Sequence, residues 1–124
     1  MTYQINVYEF RIKLYPENFA LVRNFYEHTL GFPIMHAWNE GPDDKGVMFT
    51  IGGTILELLS PEGDYKKITG CDISLEVSNV HTLWESMKDT QTIRHKLRHN
   101  NWNDTSFCIA DPEGFEITFF TKDQ

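Results

Sequence analysis

The feature that most constrains this chain is a turn-plus-strand pattern that occurs twice. In Gly52-Gly53-Thr54-Ile55-Leu56-Glu57-Leu58-Leu59-Ser60-Pro61 a glycine pair makes a turn, strand residues follow, and Ser-Pro stops them. Near the C-terminus, Asp111-Pro112-Glu113-Gly114 fits a type I turn and leads into Phe115-Glu116-Ile117-Thr118-Phe119-Phe120. Placing Gly114 under Gly53 sets Thr118 under Glu57, with Phe119 and Phe120 under Leu58 and Leu59. A second pair of segments agrees. Glu9-Phe10-Arg11-Ile12-Lys13-Leu14 lies over Asp72-Ile73-Ser74-Leu75-Glu76-Val77, and both alternate polar with apolar and open on an acid. Two units of one design are a duplication signal.

The stretches between these segments complete the unit. Residues 3 to 14 alternate, as a half-buried strand does. Pro16 suits a helix's first turn, and Phe19, Val22, Phe25, Tyr26 and Leu30 form a helical stripe ending at Gly31. Ile34 to Trp38 reads as a strand, residues 39 to 46 as a loop, and Val47 to Ile51 as the strand that the Gly52-Gly53 turn returns. Residues 61 to 70 form a polar seam. Cys71 to Val77 opens the second half. Asn79 or Ser78 caps a helix whose stripe is Val80, Leu83, Trp84 and Met87. Residues 92 to 99 alternate, a loop carries Trp102, and Ser106 to Ala110 precedes the closing turn and strand. Each half reads strand, helix, three strands. The expected fold is α+β, two βαβββ modules in one domain of 124 residues, module 1 over about residues 1–61 and module 2 over about 70–124.

Composition narrows the partners. The formal charge of −7 argues against nucleic acid, which needs a basic surface. No apolar run approaches the length of a membrane span, and no basic-then-apolar leader opens the chain. Cys71 and Cys108 read as reduced core thiols, and the expected compartment is the cytoplasm. No Ser-His-Asp spacing, nucleophile elbow, phosphate-binding loop or dinucleotide fingerprint is present.

Glu57 is the residue that does not belong to its surroundings. A carboxylate among Ile55, Leu56, Leu58 and Leu59 is costly unless something cationic or hydrogen-bonding meets it. Alternation puts Glu57 on the face of Ile55 and Leu59, opposite Leu56 and Leu58. One face is then a core, and the other reads as a ligand cavity with an acid at its centre. His95 and His99 read as members of a basic, solvent-facing strip, and His36 as a side chain near the cavity rim.

Three pieces of this chain resemble the glyoxalase/bleomycin-resistance/dioxygenase (vicinal oxygen chelate) superfamily. They are Phe25-Tyr26-Glu27-His28-Thr29-Leu30-Gly31-Phe32, the strand Ile55-Leu56-Glu57-Leu58, and Asp111-Pro112-Glu113-Gly114-Phe115-Glu116-Ile117. The resemblance implies paired βαβββ modules in an open, incomplete barrel around a cavity, and a homodimer. Metal-dependent members draw ligands from the opening and closing strands of each module, which here implies Glu9, Glu57, Asp72 and Thr118. Only Glu57 matches the usual residue type: the opening strands carry Glu and Asp where His is common, and the last position carries Thr where Glu is common.

Three readings follow. An all-oxygen set favours a hard divalent ion, Mn²⁺ or Mg²⁺ over Zn²⁺. Glu57 would then be the catalytic group of a metal-dependent lyase, isomerase, transferase or dioxygenase. The preferred reading is metal-free binding of a small cationic or polar molecule, as in the bleomycin-resistance branch. Trp38, Trp102, Phe107 and Phe120 would offer aromatic faces and Glu116 negative charge. In the third, the acids are paired internally by Arg11 and Lys13.

Overall fold

In the computed structural model, residues 1–60 and 69–123 are described. Most of the seam expected at residues 61 to 70 lies outside them. The chain divides into two compact units, Met1–Lys67 and Ile68–Gln124.

The first unit runs β1 (Arg11–Leu14), α1 (Phe19–Asn24), β2 (Ile34–Asn39), β3 (Lys45–Ile51) and β4 (Thr54–Leu59). The sheet order is β1-β4-β3-β2, with β1 parallel to β4 and the other pairs antiparallel. A parallel pair needs a long crossover, and the α1 excursion with the β2–β3 hairpin supplies it. Alternation does the rest. Leu56 and Leu58, with Val47 and Phe49 opposite them, are all nearly or fully buried, and so are Val22 and Tyr26 of the helical segment. Tyr26 meets Phe49 with ring centroids 6.1 Å apart.

Two local readings change. Asn18 caps α1, its side chain accepting from the Leu21 amide at 3.1 Å, so the helix starts beyond Pro16. After Asn24 the helix widens into a π-turn, Phe25–Thr29, in which the Leu30 amide donates to the Phe25 carbonyl. The expected strand from residue 3 is also shorter. β1 begins at Arg11; the Phe10 carbonyl still accepts from the Ile55 amide at 3.3 Å, and since β4 starts at Thr54, residues before Phe10 have no β4 residue opposite them. Residues 1–10 are exposed, including Tyr3, Ile5, Val7, Tyr8 and Phe10.

The second unit repeats the plan: β5 (Asp72–Glu76), α2 (Val80–Met87), β6 (Thr92–Asn100), β7 (Asp104–Ala110) and β8 (Glu116–Lys122). Its order is β5-β8-β7-β6, again with the opening strand parallel to the closing one. Asn79 caps α2 through the Thr82 amide. The closing turn is tied by Asp111, whose Oδ1 accepts from the Glu113 and Phe115 amides while Gly114 takes φ +91°. Ile109, Ile117, Phe107 and Phe119 form the buried row, and Trp84 of α2 packs edge-on against Phe107 at 5.3 Å. The two four-stranded mixed sheets with few helices make the expected α+β architecture.

Ile117 and Thr118 are neighbours on opposite faces of β8, so they separate core from site. Ile117→Ala should cost about 2–5 kcal/mol in denaturant unfolding. Thr118→Ala should cost well under half of that. Equal losses would mean that both faces of β8 carry the core.

Candidate functional site

The face of the second sheet turned away from its apolar row is polar, and strand register sets its rows. Asp72 of β5 lies beside Glu116 of β8. The next row crosses all four strands: Ser74, Thr118, Cys108 and His95. The third is Glu76, Phe120, Ser106 and Arg98. Together with Trp102 and Asp104, residues of these rows line a cavity of about 410 Å³.

His95 and Arg98 reach this cavity together because β6 is irregular. Residues three apart on a regular strand point to opposite faces. The β6–β7 register shifts between Ile93 and His95 and again between His95 and Arg98, and both side chains line the cavity. This corrects the solvent-strip reading for His95. His99 does lie outward, exposed and 3.4 Å from Asp123. No alternation rule applied to the sequence finds His95 and Arg98 as neighbours.

One network holds the basic end of the cavity. Asn100, 5 % exposed, accepts from Arg98 Nε at 3.1 Å through Oδ1 and donates from Nδ2 to Asp104 Oδ1 at 2.7 Å and Ser106 Oγ at 2.8 Å. Trp102 Nε1 donates to the other oxygen of Asp104 at 3.0 Å. Asp104 is therefore committed to orienting the Arg98 support and the indole. Asp72 differs: its carboxylate has no partner among the described residues. Glu116 meets Arg94 at 3.7 Å, a half-exposed pair of little strength.

The structure therefore brings Asp72, Glu116, Thr118, Trp102 and Phe120 of the expected site to one cavity. Phe107 is elsewhere. It is fully buried in the apolar row between Trp84 and Phe119, because its neighbours Ser106 and Cys108 take the cavity face. Trp38 belongs to the first unit, stacked on His36 at 5.6 Å, with its Nε1 donating to Asp44. Its ring lies so close to Gly46 that a Cβ there would sit 2.4 Å away.

In the first unit Glu57 is 5 % exposed and faces Arg11, whose Nη1 lies 3.4 Å from its Oε1. Arg11 also binds Glu9 through Nε. The guanidinium is held more firmly charged than usual, first by its hydrogen bond to Glu9 and further by Glu57. Register also moves the expected match between the two halves. Arg11 pairs with Ile55, and Asp72 pairs with Glu116. Since the repeat sets Glu116 under Ile55, the counterpart of Asp72 is Arg11, and Glu9 lies two residues earlier, ahead of the strand. A cation thus stands at the opening-strand position from which a metal ligand would come. A guanidinium on Glu57 opposes a divalent ion by like charge, so this donor set does not fit a metal. Among the described residues no group of three or more His, Cys, Asp or Glu side chains is placed to hold one.

Cys108 sits on the cavity floor, 2 % exposed, whereas Cys71 is exposed rather than part of the core. Burial pushes the Cys108 thiol above its ordinary range, with Glu116 and Asp72 adding to the effect and a hydrogen bond with Thr118 opposing it. Alkylation near pH 8 should therefore label Cys71 and spare Cys108, read by mass spectrometry of the peptides. The stability gained by keeping the thiol protonated is whole below the unfolded thiol's value, about 8.5, and is lost as pH rises through the higher folded value. Cys108→Ser should remove that alkaline loss. Labelling of Cys108 at the rate of Cys71 would refute the burial.

Among the described residues no helix is long and apolar enough to cross a membrane. No curated protein matches the chain. Solved structures do. A member of the glyoxalase/bleomycin resistance protein/dioxygenase superfamily from Sphaerobacter thermophilus is 20 % identical, with a TM-score of 0.78 over 94 % of this chain and 98 % of that one. A glyoxalase/bleomycin resistance protein/dioxygenase from Nocardioides is 15 % identical, with a TM-score of 0.74 over 98 % of this chain and 87 % of that one. A lactoylglutathione lyase from Agrobacterium tumefaciens is 15 % identical, with a TM-score of 0.70 over 94 % and 95 % of the two chains. At these identities the likeness shows the fold alone. The sequence profile of the Glyoxalase/Bleomycin resistance protein/Dioxygenase superfamily matches residues 10–119, and with the duplicated strand–helix–three-strand unit in place the chain belongs to that superfamily.

Proposed function

We propose that the polar face of the second sheet binds a small cationic or polar molecule without a metal. The observation that carries this reading is the cavity itself. It joins Asp72, a carboxylate unpaired among the described residues, to the aromatic surfaces of Trp102 and Phe120. A carboxylate attracts a cation, and an indole face adds about 0.5–2 kcal/mol by cation–π contact. Thr118 and Ser74 supply hydroxyls that fit either donors or acceptors. The alternative is a metal-dependent lyase, isomerase, transferase or dioxygenase with Glu57 as its base, and the Arg11 guanidinium on Glu57 weighs against it. A homodimer in the cytoplasm belongs to the same proposal, and the molar mass in solution, by light scattering, tests the dimer.

Phenyltrimethylammonium should quench the Trp102 emission equally with and without a chelator, and Trp102→Phe should abolish that component. Asp72→Asn should weaken binding by roughly tenfold, as loss of one charge-assisted contact predicts. Quenching that requires a divalent ion would transfer the assignment to the metal-dependent alternative. No quenching at all would remove the cavity as a cation site.

A further inference from the structure

The two ends of this cavity offer opposite partners: a carboxylate at one, guanidinium N–H groups at the other, where the Asp104 carboxylate is held by Asn100 and Trp102 and not by Arg98. Asp72 and Glu116 stand on β5 and β8 at one end; His95 and Arg98 stand on β6 at the other. Between them the floor is neutral: Ser74, Thr118, Cys108 and Ser106. Strands β5 and β6 are three spacings apart, about 14 Å between backbones at ~4.8 Å each.

The basic end is built to receive something. Among the described residues Arg98 uses only its Nε, on Asn100, and its terminal nitrogens have no partner. Asn100 is itself fixed by Asp104 and Ser106, so the guanidinium is pre-oriented without being neutralised by a direct ion pair. His95 Nδ1 lies 3.2 Å from the Lys96 carbonyl, leaving Nε2 for other contacts. A fixed fork of N–H groups beside an imidazole is a carboxylate-binding arrangement. A ligand carrying only positive charge would satisfy Asp72 and leave this end empty.

Resting on the reading of the cavity given above, we infer that its ligand is amphoteric, with a cationic group for Asp72 and Glu116 and a carboxylate for Arg98 and His95. The separation of the two ends selects the class further. An α-amino acid holds its charges too close together to reach both. A short peptide or an ω-amino acid spans the neutral floor, where Thr118 and Ser106 meet its middle.

Four probes decide this on the full-length chain: ε-aminocaproate, n-hexylammonium, caproate and glycine. Binding is read from Trp102 emission and from amide shifts of Thr118 and Cys108 in two-dimensional NMR. ε-Aminocaproate should bind roughly tenfold or more tightly than either singly charged analogue, since a second charge-assisted contact is worth at least that factor. Glycine should not compete. Arg98→Gln should erase the advantage over n-hexylammonium, Asp72→Asn the advantage over caproate, and Arg98→Lys should restore part of what Arg98→Gln loses. If n-hexylammonium binds as tightly as ε-aminocaproate, the amphoteric assignment is overturned while the cation site stands. If caproate matches it, the assignment is overturned too. If no probe perturbs the cavity residues, both the assignment and the cavity reading fall.

Discussion

Both units depend on one constraint: a strand cannot send neighbouring side chains to the same side. Ile73, Leu75, Ile117, Phe119, Ile109 and Phe107 must leave water, and in doing so they force Ser74, Thr118, Cys108 and Ser106 onto the other face. The floor of the candidate site is the reverse side of the core. A slip of one residue in β8 would bury Thr118 and expose Ile117. Hydrophobic burial under α2 therefore sets the site's register, although no apolar side chain of that row touches the cavity.

The two halves have used the same scaffold differently. In the first, the opening strand presents Arg11, and its guanidinium occupies the carboxylates of Glu57 and Glu9. A buried acid with its own cation is satisfied and has little to offer a ligand. In the second, the equivalent position is Asp72, with no cation on it among the described residues, and the equivalent of Glu57 is the neutral Thr118. The charge pattern is exchanged between the halves.

The fold was readable because it rests on short-range rules. The turn glycines and Asp-Pro, the alternating strands and the helical stripes each name their element locally, and the repeat joins them into a unit. The parts of the site that alternation governs were equally readable: Thr118 and Phe120 follow from β8, and Asp72 from β5. Phe107 was misplaced because its aromatic ring suits a ligand as well as a core, and only the packing of Trp84 and Phe119 around it decides. His95 and Arg98 were out of reach for a different reason. Two register shifts in β6 break the alternation on which any sequence reading of a strand relies.

By itself the sequence determined the α+β class, the duplicated unit, the superfamily and the face of each regular strand, because these depend on neighbours in the chain. Tertiary structure alone decided that Arg11 sits on Glu57, that Asn100 and Asp104 orient Arg98 and Trp102, and that Asp72 meets no cation among the described residues. Such pairings join residues of different strands, and their geometry follows from strand order and bulges, which cost too little locally to leave a mark on composition or periodicity.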